Sequence, residues 1–208
     1  RLSAVPMGRI ATPASTRSAG ARALWWGAAA IGLAVAARTG WLLSTSVALT
    51  RQSEPLQHAP AQPALRLLIV GDSTAVGTGA GEPGASVAGL LAGRFPRLAI
   101  DNRARDGAAY AGVLAQLDGD DPVDMVLVMA GGNDVVRLRR LGALEADVDR
   151  VTRRARQRAA LVVLMPAGNV GHAPFFLPPA NWLMTWRSRR LQALAATAAL
   201  RHGALHVN

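Results

Sequence analysis

Three short clusters of small and polar residues hold most of the chemistry that this 208-residue chain can offer. They are Gly71-Asp72-Ser73-Thr74, Asn102-Arg103-Ala104-Arg105-Asp106-Gly107 and Gly131-Gly132-Asn133-Asp134. Brought together, they would supply a hydroxyl, glycine amides and a carboxamide. Acyl transfer needs that set: a nucleophile, and N–H donors aimed at the oxyanion of a tetrahedral intermediate. Composition closes other routes. With no cysteine, thiol nucleophiles, disulfides and Cys-based zinc sites are excluded, and the redox compartment is left open. All 23 basic residues are arginine, which removes the phosphate-loop lysine, Schiff-base chemistry and Ser–Lys dyads. Only four histidines exist, His58, His172, His202 and His206. No cofactor or metal is expected.

The clusters follow apolar runs that read as buried strands. LRLLIV (65–70) ends at Gly71, LAID (98–101) precedes Asn102, and VDMVLVMA (123–130) runs into Gly131. LVVLM (161–165) is a fourth strand stopped by Pro166, and ALHV (204–207) a short fifth. Helices are expected over 85–95 and 108–117. Leu141, Leu144, Val148, Val151 and Ala155 mark a third helix by three- and four-residue spacing, and Leu183, Trp186, Leu191, Leu194 and Ala198 a fourth. Strands alternating with helices predict an α/β fold: a three-layer α/β/α sandwich with a parallel, flavodoxin-like sheet of about five strands, order 2-1-3-4-5. Ligands of such sheets bind outside the carboxyl ends of the strands, where the three clusters lie.

The net charge of +10 is unevenly placed. Residues 1–64 hold six Arg and one acid, whereas residues 65–208 hold 17 Arg and 12 acids. Residues 1–22 read as a basic arm, 23–49 as a hydrophobic signal or anchor segment, 50–64 as a proline-containing extended linker, and 65–208 as the globular domain. Fifteen uncharged residues (23–37) would span only about 22 Å as a helix, but the whole 23–49 stretch would cross a bilayer if Arg38 snorkels. A signal peptide cleaved near Ala34-Val35-Ala36, or a buried helix, are the other readings. A basic N-terminal flank keeps the arm cytoplasmic and places the domain in the periplasm or outside the cell; a cytoplasmic domain is the alternative.

VGDSTAVGTG resembles the nucleophile block of the SGNH, or GDSL-type, serine hydrolases, with Thr74 where many members have leucine. DNRARDG is similar to their second block and GGND to their third, in the same order and at strand ends. The resemblance implies ester, thioester or acetyl hydrolysis through an acyl-Ser73 intermediate. Ser73 would also give a backbone oxyanion donor, Gly107 a second and Asn133 a third, whereas Asp72 and Asp134 read as loop braces. Small-molecule, lipid or acylated-sugar esters are the implied substrates, and the apolar run 174–179 leans toward acyl chains.

The fifth block of the family, D-x-x-H, supplies a base and its orienting acid. None of the ten aspartates after residue 64 has a histidine three positions on. The expectation is a fragment that ends before its catalytic histidine. His172 is the one local candidate to substitute, and is better read as a substrate contact. A catalytically deficient acyl- or carbohydrate-binding protein that kept the cleft is the competing reading. Gly79-x-Gly81-x-x-Gly84 lies too far from its strand for a dinucleotide site. The Arg-rich run 148–158 reads as a solvated helix face rather than a nucleic-acid surface.

Overall fold

The computed structural model describes residues 54–208 continuously and, before them, residues 24–27, 29, 30, 32, 33 and 37, which are helical. The basic arm and most of the expected anchor segment lie outside the described residues. Among those described, no helix is long and apolar enough to cross a membrane.

Five strands form one parallel sheet in the order β2-β1-β3-β4-β5. They are β1 (Leu65–Gly71), β2 (Leu98–Asn102), β3 (Val123–Met129), β4 (Ala159–Leu164) and β5 (Leu205–His206). The helices are α1 (Ser73–Val76), α2 (Val87–Arg94), α3 (Tyr110–Gln116), α4 (Gly132–Val136), α5 (Leu141–Arg158) and α6 (Ala180–His202). Alternation along the strands sends Leu68, Val70, Val126, Val128, Val162 and Leu164 to one face, where α3, α5 and α6 cover them. Leu67, Ile69, Leu98, Ile100 and Met129 face the other way, under Ala75, Val76 and Ala88 of α1 and α2. That second helical layer is narrower. Met125, Leu127 and Val163 stay half-buried, and Met125, Leu127 and Val163 line an apolar cavity of about 570 Å³ that reaches Leu91 and Phe95.

Part of the expected linker is built into the domain. His58 bridges Ile100 antiparallel to the outer edge of β2, and Leu56 packs on the core. Gln57 accepts from the Asn102 N–H at 3.0 Å and donates to its carbonyl at 2.6 Å. An edge strand exposes unpaired backbone groups, and this segment covers them. The folded unit thus begins before Leu65.

The stripe expected on α5 is inward as read, with Leu144, Val148, Val151 and Ala155 buried. Its arginines are not all solvated, however. Arg158 is buried and donates to the carbonyls of Leu117, Asp118 and Asp121. The stripe expected on α6 is half wrong. Met184, Ser188, Leu191, Ala195 and Ala198 face the core, whereas Leu183 and Trp186 face solvent. Towards its C-terminal end the inner row is made of small side chains, Ala195, Ala198 and Ala199, after the larger Met184, Arg187 and Leu191.

Candidate active site

The β2-β1-β3 order sets the three polar clusters side by side at the carboxyl edge of the sheet. Neighbouring strands lie about 4.8 Å apart, so the outer two are only about 10 Å from each other.

The first cluster turns β1 into α1. Asp72 caps the helix, its Oδ1 accepting from the Thr74 N–H at 3.0 Å. Burial pushes its carboxyl up, against the pull of the Thr74 hydrogen bond and of the nearby Gly132 and Gly131 amides. The Asp72 N–H, donating to the Met129 carbonyl at 2.9 Å, ties the β1 turn to the end of β3. Ser73 is the first residue of α1 and is half-buried. Among the described residues neither its hydroxyl nor its amide has a protein hydrogen-bond partner, which fits a first-turn position whose N–H has no intrahelical acceptor. A cavity of about 240 Å³ adjoins it, lined also by Thr74, Gly77, Thr78, Ala85 and Val87.

The second cluster is held against the first. Asn102 donates from Nδ2 to the carbonyl of Ala75 in α1 (2.9 Å), and its Oδ1 accepts from the Ala104 N–H (3.1 Å). Further on, the Arg105 N–H reaches the Gly71 carbonyl at 3.1 Å, and Thr78 Oγ1 donates to Asp106 Oδ1 at 2.6 Å. Gly107 follows in the left-handed region, φ +72°, which favours glycine there. Its amide, like that of Ser73, donates to no protein acceptor among the described residues.

The third cluster starts at Gly131, where any Cβ would stand 2.5 Å from a Leu191 methyl of α6. Asn133 Nδ2 donates to the Ala108 carbonyl at 3.1 Å, one residue past Gly107. A carboxamide nitrogen carries two hydrogens, so one donor remains for a ligand. Asp134 is buried beneath, its Oδ2 accepting from the Tyr110 N–H at 2.9 Å. Among the described residues its Oδ1 and the buried Tyr110 hydroxyl have no protein partner. Burial raises both pKa values, that of Tyr110 also through the charges of Asp134 and Asp72.

A carboxyl whose pKa is raised by folding contributes its full stability below the ordinary value of 3.8, and loses it as pH rises through the folded value. Asp134→Asn keeps the acceptor for Tyr110 and removes the titration. Urea midpoints measured at about pH 4 and about pH 7 should therefore change more favourably with rising pH in Asp134→Asn than in the parent. Parallel changes would contradict a raised Asp134.

The structure brings Ser73, Gly107 and Asn133 to one rim. His172 is placed in a 3-10 turn (Val170–His172) after β4, exposed, with Nε2 3.1 Å from Asn169 Nδ2. The other histidines are engaged elsewhere: His58 with the Leu98 carbonyl, His202 with Asp149, His206 with Gln192. No histidine is hydrogen-bonded to Ser73. The Asp149 carboxyl is held below its ordinary value by hydrogen bonds from His202 and Arg201, and it forms a surface ion pair with Arg201.

Two residues that sequence reasoning passed over fix the rim. Gln57 clamps Asn102 as described, and Gln116 clamps Gly71, accepting from its N–H at 2.7 Å and donating to its carbonyl at 3.0 Å. Gln116 carried a faint signal, a polar residue on the Tyr110, Val113, Leu117 stripe of a helix.

A family model described as GDSL-like Lipase/Acylhydrolase matches residues 69–208. A GDSL-like esterase of Mycobacterium tuberculosis is 33% identical over 146 residues, which are 66% of this chain and 46% of that protein. The chain thus spans about half the length of that curated relative. Among solved structures, TesA superposes with a TM-score of 0.55 at 22% identity, over 68% of this chain and 76% of its own. A member of the lipolytic G-D-S-L family from Veillonella parvula gives 0.55 at 15% identity, over 70% and 78%. At such identities the likeness is one of fold.

Proposed function

The chain belongs to the GDSL-like lipase/acylhydrolase family, and from that we propose that it is a serine hydrolase whose nucleophile is Ser73 and whose substrates are carboxylic esters of short acyl groups. The observation that carries this reading is the pair of unengaged amides, Ser73 and Gly107, beside the half-engaged carboxamide of Asn133. In the proposed step Ser73 Oγ bonds to the ester carbonyl carbon, and the three donors hold the resulting oxyanion. Collapse breaks the carbon–oxygen bond to the alcohol, which leaves with the proton taken from Oγ, and water then cleaves the acyl-serine to the acid.

The small cavity beside Ser73 favours a short acyl group. Its volume is below the range of about 300–1,000 Å³ that encloses drug-sized ligands. A panel of chromogenic esters from acetate to palmitate should show turnover falling with chain length. Asn133→Ala should lower turnover of the best ester by roughly 10²–10³, the worth of one oxyanion donor. Preference for palmitate would overturn the short-acyl reading, and full activity in Asn133→Ala would remove that residue from the oxyanion site.

The proton on Oγ needs an acceptor, and among the described residues no histidine is hydrogen-bonded to Ser73. The second reading is a catalytically deficient protein that binds acyl or carbohydrate esters in the same cleft. Saturable binding of a short-chain ester without hydrolysis or Ser73 acylation would select it.

A further inference from the structure

The outward face of α6 departs from an ordinary solvated helix surface. Trp182 is 67% exposed, Leu183 44% and Trp186 46%, all within the first two turns, and Leu177 just before them is 44% exposed. Arg189 and Arg190 continue the same face, and the Arg190 guanidinium lies 5.5 Å from the centre of the Trp186 ring. The opposite face of these turns buries Met184, Ser188 and Leu191 against the domain, so the two indoles cannot turn inward.

Charge tells what such a ridge would meet. On the ridge itself Arg189 and Arg190 are exposed and have no acidic partner among the described residues. We propose that Leu177, Trp182, Leu183 and Trp186, with Arg189 and Arg190, form a docking surface for an anionic lipid bilayer. Indoles suit the headgroup level, where an apolar body and a polar N–H are both satisfied. Arginine stems lie along apolar surface while their guanidinium groups reach lipid phosphates. This contact is separate from any anchoring by residues 23–49 and needs no catalysis. It also has a geometric consequence. The inner face of the same helix touches Gly131 of the third cluster through Leu191, so the helix that would carry the bilayer also packs on the rim of the candidate site.

Because the chain has no cysteine, single cysteines report on chosen positions of the whole protein. Leu183→Cys and Leu200→Cys, each carrying an environment-sensitive fluorophore, are compared on vesicles of phosphatidylglycerol with phosphatidylcholine and on phosphatidylcholine alone. Leu200 is 87% exposed on the same helix, about 25 Å further along, and serves as the control that an N-terminal anchor would affect equally. The expected result is a blue-shifted, several-fold brighter emission at 183 on anionic vesicles, quenched by brominated lipid, with 200 unchanged. Arg189→Glu with Arg190→Glu should abolish the signal at 183. A water-exposed label at 183 on anionic vesicles overturns the proposal, whether or not the chain sediments with them. So does equal shielding on neutral vesicles. Shielding that grows with protein concentration in the absence of lipid would instead assign the ridge to self-association and overturn it as well.

Discussion

Ser73→Ala is expected to abolish both ester turnover and covalent capture of an active-site-directed phosphonate. In a hydrolase with a complete nucleophile–base pair, losing the serine costs on the order of 10⁶ in kcat. Where no base is engaged, the parent rate is itself low. The phosphonate then becomes the sharper measurement, because it scores bond formation at one oxygen rather than turnover. Intact mass should show one adduct on the parent chain and none on Ser73→Ala. The side chain is half-buried and its hydroxyl has no protein partner, so the substitution should leave the fold intact, and the thermal midpoint checks that. An adduct of equal yield on Ser73→Ala would place the nucleophile elsewhere. A rate of capture as fast as in complete serine hydrolases would show that a base already serves Ser73, and His172→Ala would then slow it.

Gly71→Ala is expected to be the most destabilising single methyl in the domain. At Gly71, φ is +152°, and an added Cβ would stand 1.9 Å from the Met129 carbonyl oxygen and 2.7 Å from its carbon. Both neighbours are backbone of the central strand pair, so the clash is relieved only by parting β1 from β3. Movement also strains the Gln116 clamp and the Arg105 N–H bond on the same residue. A loss of about 4 kcal/mol or more is expected, at the diagnostic end of single substitutions and a large share of a typical domain stability. Gly79→Ala is the matched control. Gly79 also has positive φ, +90°, but open space around it, so only the conformational cost of about 1 kcal/mol applies. Urea unfolding of the two variants separates clash from strain, and equal losses would mean that the rim has room to shift.

Much of this architecture was legible in the chain itself. Continuous apolar runs too short for a core helix and bounded by small polar residues read as strands covered on both sides, and their alternation with helical stripes leaves a parallel sheet as the economical solution. That reading places Ser73, Gly107 and Asn133 at three carboxyl ends, because the site of a parallel sheet is set by topology. Tertiary structure alone decided three further matters. It chose which face of α6 turned inward: Leu183 and Trp186 match a helical period as well as Met184 and Leu191 do, and periodicity alone cannot rank two apolar faces of one helix. It paired Gln57 with Asn102 and Gln116 with Gly71, both across 45 residues, by donor and acceptor geometry that leaves no trace in hydropathy. It also buried Arg158, whose charge is accommodated by carbonyls 37 to 41 residues away. Sequence pattern ranks residues by their preference for burial. Which preference is overruled depends on the hydrogen-bond partners that folding delivers, and those are a property of the packed chain.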